Sequence, residues 1–149
     1  MANNILFLVL AVLAGAMMPT QAATNNKMAA IVDSPLLAAF ISFLIGTIAL
    51  FVYVVASGTP LGNLISAKDA PPVAWIGGLL GAFFVTMTIV LAPRLGVAMT
   101  FSLIIAGQML VTIVIDHFGL LGVPVQPISF PRVAGILLIT AGVVLIRRF

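Results

Sequence analysis

Apolar runs, separated by charges and by clusters of Pro, Gly and Asn, divide the chain into five segments at about 5–24, 35–56, 72–92, 95–115 and 131–147. A helix rising about 1.5 Å per residue needs roughly 20 apolar residues to cross a hydrocarbon core about 30 Å thick, so the first four have spanning length. The fifth is uninterrupted only from Val133 to Ile146, about 21 Å of helix, and it spans if Arg132 and Arg147 snorkel toward the interfaces. The connections (Asn25 to Ser34, Ser57 to Pro71, a turn at Pro93-Arg94, Asp116 to Pro131) are too short to hold a domain of their own. The pattern therefore predicts an all-α integral membrane protein, a single transmembrane domain over 1–149 with five transmembrane helices. Asp33-Ser34-Pro35 reads as a cap with proline in the first turn, and Pro71-Pro72 and Pro131 also mark helix starts. Tyr53 and Trp75 should sit at one interface, where amphipathic rings are favoured.

Composition removes the soluble alternative. Of 149 residues 63% are hydrophobic and 6% charged, where a soluble domain carries roughly a quarter charged. Six basic and three acidic side chains cannot cover a water-facing surface, so the lipid bilayer is the partner of most of the chain. Zero cysteines exclude a disulfide scaffold, thiolate catalysis and Cys-ligated metals, and the single His117 excludes a two-histidine site within one chain. The net charge of +3 is scattered, with no basic run longer than Arg147-Arg148, so no nucleic-acid footprint is present. Nothing resembles a phosphate loop, a nucleophile elbow or a paired-carboxylate site; neither an enzyme nor a cofactor or metal is expected.

The stretch ILFLVLAVLAGAMM followed by Thr20-Gln21-Ala22-Ala23 has the outline of a cleavable secretory signal, but Met1 to Asn4 lack a basic residue, so span one is expected to be retained as a helix. If the spans alternate, Lys68 and Arg132 lie on one side and Lys27, Arg94, Arg147 and Arg148 on the other. The bias toward a cytoplasmic C-terminus comes entirely from the last two arginines. A weak bias with an odd number of spans suits a chain that inserts both ways and pairs with an inverted copy, a symmetry that places a solute site at mid-membrane. A fixed orientation set by a partner or by the short loops is the other reading.

Polar side chains inside spans must face protein or water, because an unpaired amide or hydroxyl in hydrocarbon costs a few kcal/mol. Those side chains are Gln21, Thr86, Thr88, Thr100, Ser102, Gln108 and Thr112, with Asn25 at the edge. Gln21 and Asn25 are one turn apart on one face, as are Gln108 and Thr112. Gln21, Asn25, Thr86, Gln108 and Thr112 are the candidate substrate-binding residues, with interhelical hydrogen bonding as the plainer role for each. Pro19 can bend span one and free a backbone carbonyl. Small residues repeat on span two at Ala38, Ser42 and Gly46, on span three at Gly77 and Gly81, and on span five at Gly135 and Gly142, marking faces for helix packing or dimer contact. Every Asp lies at a span end or in a loop, so no central carboxylate can serve as a proton switch. Arg94 and Asp116 bracket span four about 33 Å apart, too far to pair within one chain, but an inverted dimer would put them on one side as an intersubunit pair.

The stretches Gln21 to Asn25, Ser34-Pro35 through AAFISFLIGTIAL, Trp75 to Ala82, LAPRLGVAMTF at 91–101, Ala106-Gly107-Gln108 and Ile115 to Gly119 resemble the YdcZ-like group of the drug/metabolite transporter superfamily. These are unfused, half-size, five-span proteins. The ending GILLITAGVVLI at 135–146 is similar to the last helix of small multidrug resistance exporters. The resemblance covers nearly the whole chain. It implies a multi-pass protein of the prokaryotic cytoplasmic membrane that moves a small organic solute. It also implies an inverted, antiparallel ten-helix dimer, either a homodimer or a heterodimer with an oppositely oriented sister protein. The chain departs from the small exporters in lacking the central glutamate of their first helix, so proton antiport and cation export are not carried over. A structural or regulatory membrane subunit that transports nothing is the second reading, separated from the first by solute flux from the protein alone.

Overall fold

The computed structural model describes residues 2–148, and among them the regular structure is helical, with no strand. The helices are α1 (Ala2–Val32), α2 (Pro35–Ala56), α3 (Pro72–Leu95), α4 (Val97–Phe118) and α5 (Phe130–Arg148), with short 3-10 helices at Leu61–Asp69 and Leu120–Gly122. All five α-helices are long and apolar enough to cross a membrane. The chain divides into two compact units, Met1–Pro93 and Arg94–Phe149.

In the first unit α1 and α2 form a tight hairpin. Helix α1 runs eight residues past the expected end at 24, through a stretch read from sequence as a loop. The polar residues there satisfy themselves on the helix: Thr20 Oγ1 donates to Ala16 O at 3.0 Å, Thr24 Oγ1 to Gln21 O at 2.9 Å, and Asn26 Nδ2 to Ala22 O at 3.0 Å. Groups that would otherwise compete with the backbone thus reinforce continuation. The helix also passes Pro19 unbroken. It stops at Asp33, whose φ of 51° is left-handed, and Ser34 N donates back to Ala29 O at 3.2 Å. Ser34 then caps α2 through its hydroxyl, which accepts from Leu37 N at 3.3 Å, and Pro35 fills the first helical position where no N–H is needed. Helix α2 has the expected bounds.

The core of this unit gathers small and β-branched residues from three helices. Ala38 and Ala39 of α2 meet Val85 and Ile89 of α3, with Met28, Ala29 and Val32 of α1 against them. Alanines permit a close approach of backbones, the main source of helix association where lipid is as apolar as leucine. Among the described residues only seven hydrophobic side chains are buried, and the remaining apolar surface faces outward, as a lipid-embedded chain requires. Tyr53 and Trp75, both exposed, lie near the ends of α2 and α3 that flank the 57–71 connection.

Helix α3 continues through Pro93 to Leu95, beyond the expected turn, because a proline in the last turn forfeits only one helical hydrogen bond. Gly96 makes the break with φ 84°, and its carbonyl accepts from both Thr100 N at 3.0 Å and Thr100 Oγ1 at 2.8 Å. Helix α4 accordingly starts at 97 rather than 95 and keeps Asp116 and His117 in its last turn.

In the second unit α4 packs on α5. Gly119 turns the chain with φ 59°, and a Cβ there would lie 2.7 Å from Val125 Cγ2, so both conformation and space demand glycine. The 119–129 connection is tied down at several points. Gln126 N donates to Asp116 O at 2.8 Å and Ile128 N to His117 Nδ1 at 3.2 Å. Arg132 forms an ion pair with Asp116 Oδ2 at 3.3 Å and donates to the backbone carbonyl of Gln126 at 3.1 Å and to its side-chain oxygen. The loop is therefore closed by one arginine fork shared between a helix end and the loop.

Candidate functional site

The polar residues of the spans separate by whether they have used their hydrogen-bonding capacity. Thr86 Oγ1 donates to Ala82 O, Thr88 Oγ1 to Val85 O, and Thr100 Oγ1 to Gly96 O, each at 2.8 Å, and Thr140 Oγ1 to Ile136 O at 2.9 Å. Those hydroxyls have spent their single proton on their own helix and can only accept further. Asn25 differs: it is buried, and its Nδ2 has no partner. Such an amide pays its desolvation cost without return unless another group meets it.

In the first unit Gln21 of α1 lines a groove of about 200 Å³ with Ser42, Phe43, Gly46, Thr47 and Leu50 of α2. Asn25 lies one helical turn farther along α1. A second groove of about 410 Å³ runs between α2 and α3, where Thr86 and Ala82 face Leu36, Phe40 and Phe43. Phe43 is thus a shared wall, with Gln21 on one side and Thr86 on the other. Its ring is seated over Gly81, where a Cβ would lie 3.5 Å from Phe43 Cζ. Sequence reasoning places Ser42 at a packing face and does not single out Thr47. They are the one serine and the one threonine of α2, and Ser42 shares a helix face with Gly46 one turn on.

In the second unit Thr112 lines a groove of about 240 Å³ between α4 and α5, walled by Met109, Ile113, Ile136 and Ile139 and closed by Asp116 and Arg132. Gln108, one turn from Thr112, is exposed. The structure brings Gln21 together with α2 and Thr86 with Phe43 in one unit, and Thr112 with the Asp116–Arg132 pair in the other.

Of the glycines expected at packing faces, Gly81 alone meets a neighbouring helix side chain within 4 Å; the space beside Gly77, Gly135 and Gly142 is open. Arg94 is exposed at the end of α3, where its charge complements the helix dipole. Asp116 holds its ion pair through Oδ2, with its own chain's Arg132. No group of three or more potential metal ligands exists among the described residues.

No curated protein and no solved structure matches the chain. One family model does, described as "Putative inner membrane exporter, YdcZ", and the match runs over residues 6–145. It takes in the grooves of both units, the whole of α2, α3 and α4, and most of α1 and α5. The chain therefore belongs to this family of inner-membrane exporters and is a multi-pass membrane transporter.

Proposed function

We propose that the chain is half of an alternating-access transporter for a small organic solute, completed by a second copy inserted in the opposite orientation. Gln21, Asn25, Thr86, Gln108 and Thr112 line the midplane path in this reading. The observation that carries it is the unpartnered Nδ2 of Asn25, buried within a spanning helix. An amide left in that state is satisfied only when another polar group or a water reaches it, which a solute path opening along this face of α1 would supply. The exposed amides of Gln21 and Gln108 point the same way, because lipid cannot hydrogen-bond them.

The odd number of spans and the near-balanced loop charges suit insertion in both orientations. In the inverted pair the open faces at Gly77, Gly135 and Gly142 would receive helices of the second copy. Arg94 would reach the Asp116 of the other subunit, whose Oδ1 is not used by Arg132.

The test is efflux from liposomes holding the purified protein alone and loaded with the small-molecule fraction of a bacterial cytoplasm. Loss of particular solutes, read by mass spectrometry against protein-free liposomes, is the expected result. Release indistinguishable from protein-free liposomes would remove the transporter-by-itself reading.

A further inference from the structure

We infer that the α1–α2 groove is a binding site for an uncharged, flat solute carrying both a hydrogen-bond donor and an acceptor, such as an aromatic amide. The inference rests on the transporter reading, because it takes this groove as part of the solute path. Three polar side chains line it, Gln21, Ser42 and Thr47, and among the described residues no hydrogen bond occupies any of them. They contrast with Thr20 and Thr24 on the same stretch of α1, whose hydroxyls are turned back onto helix carbonyls. Unspent capacity is therefore concentrated in one place. One turn away on α1, outside the lining of the groove, stands Asn25, buried with its Nδ2 unpartnered, so the unmet polar capacity of this helix continues past the groove.

Position and charge fix the class. Gln21 lies about 17 Å along α1 from Val32, and Thr47 about 18 Å along α2 from Pro35, so the groove falls near the middle of both spans. No charged side chain lines it, and at that depth an ion without a counter-charge would lose its hydration unrepaid. A neutral solute suffers no such loss. Gln21 offers a carbonyl and an NH2, the pair that a primary amide matches with two parallel hydrogen bonds, and the hydroxyls of Ser42 and Thr47 can donate or accept. Phe43 supplies an apolar face for a ring. Gly46 keeps the α2 backbone low between the two hydroxyls, with open space where a Cβ would stand.

Three probes of nearly equal size separate the charge states: benzamide (neutral), benzoate (anionic) and benzylamine (cationic at neutral pH). Binding of each radiolabelled probe to the protein in nanodiscs is expected at millimolar concentration for benzamide, and at least tenfold weaker for the two ions. Gln21→Leu and the double variant Ser42→Ala/Thr47→Val should each weaken benzamide binding about tenfold, whereas Thr140→Val on α5 should leave it unchanged. None of the three groove side chains holds the fold together by a hydrogen bond, so loss of binding is separable from unfolding, which circular dichroism of each variant checks. Binding of an ion as tight as benzamide, insensitivity to both groove variants, or binding of none of the probes would overturn the inference. The efflux assay keeps the two claims apart. Groove-dependent benzamide binding without solute efflux would sink the transporter reading alone, and efflux confined to charged solutes would sink the neutral class alone.

Discussion

Replacing Arg132 tests how the α4–α5 hairpin is closed. Its guanidinium lies 3.3 Å from Asp116 Oδ2 and also serves two oxygens of Gln126. Two unit charges at that separation attract by about 5 kcal/mol at an effective dielectric of about 20 and by only about 1.3 kcal/mol in water. The Arg132 and Asp116 side chains are 32% and 27% exposed, which places the pair between these limits before desolvation and side-chain ordering are subtracted. Those costs bring most partly exposed pairs down to about 1 kcal/mol. The bonds to Gln126 add to the single-residue effect without entering the coupling with Asp116. Arg132→Gln should therefore cost about 2 kcal/mol, and a double-mutant cycle with Asp116→Asn should show a coupling of about 1 kcal/mol. The assay is reversible unfolding in mixed micelles titrated with SDS, followed by far-UV circular dichroism. A coupling below about 0.3 kcal/mol would refute the argument that this ion pair closes the hairpin. A second cycle, pairing Asp116→Asn with Arg94→Gln, reads the contact between inverted copies. Coupling there should rise with protein concentration, whereas the Arg132 coupling should not.

Further substitutions at the helix ends and in the core are read in the same assay. Ser34→Ala removes the oxygen that caps α2 and should cost about 1 kcal/mol, with Ser34→Thr retaining most of it. Gly119→Ala forces a side chain into a left-handed residue against Val125 and should cost more than about 2 kcal/mol, whereas Gly142→Ala, with open space beside it, should be nearly neutral in the monomer. Ile89→Ala empties the meeting point of α2 and α3; because the unfolded helices remain in lipid, the cavity term dominates and a loss of roughly 1–3 kcal/mol is expected.

The spans were legible because lipid imposes one rule on every position, so apolar runs of sufficient length found all five helices and gave α2 its bounds. Ends set by backbone conformation or by local hydrogen bonds were harder to read. Helix α1 overran its expected end because Thr24 and Asn26 serve the helix instead of breaking it. Gly96, rather than Pro93, separates α3 from α4, since a proline in a last turn loses little and a left-handed glycine ends the turn outright. The candidate site was half legible. Gln21 and Asn25 stood out as amides in an apolar run, while Ser42 and Thr47 were hidden by their small size, and only the facing of α1 on α2 joined them to Gln21. Thr86 lines the α2–α3 groove with its proton already committed to Ala82 O, so it can only accept there.

The chain contains no cysteine, so a single cysteine placed after Phe149 gives an unambiguous readout of orientation. Labelling it from each side of intact cells with a membrane-impermeant maleimide tests the central claim, that this transporter is built from the chain and its inverted copy. The account predicts two populations of roughly equal size, one reactive from each side. A single population reactive from one side would contradict the inverted pairing of this chain with itself.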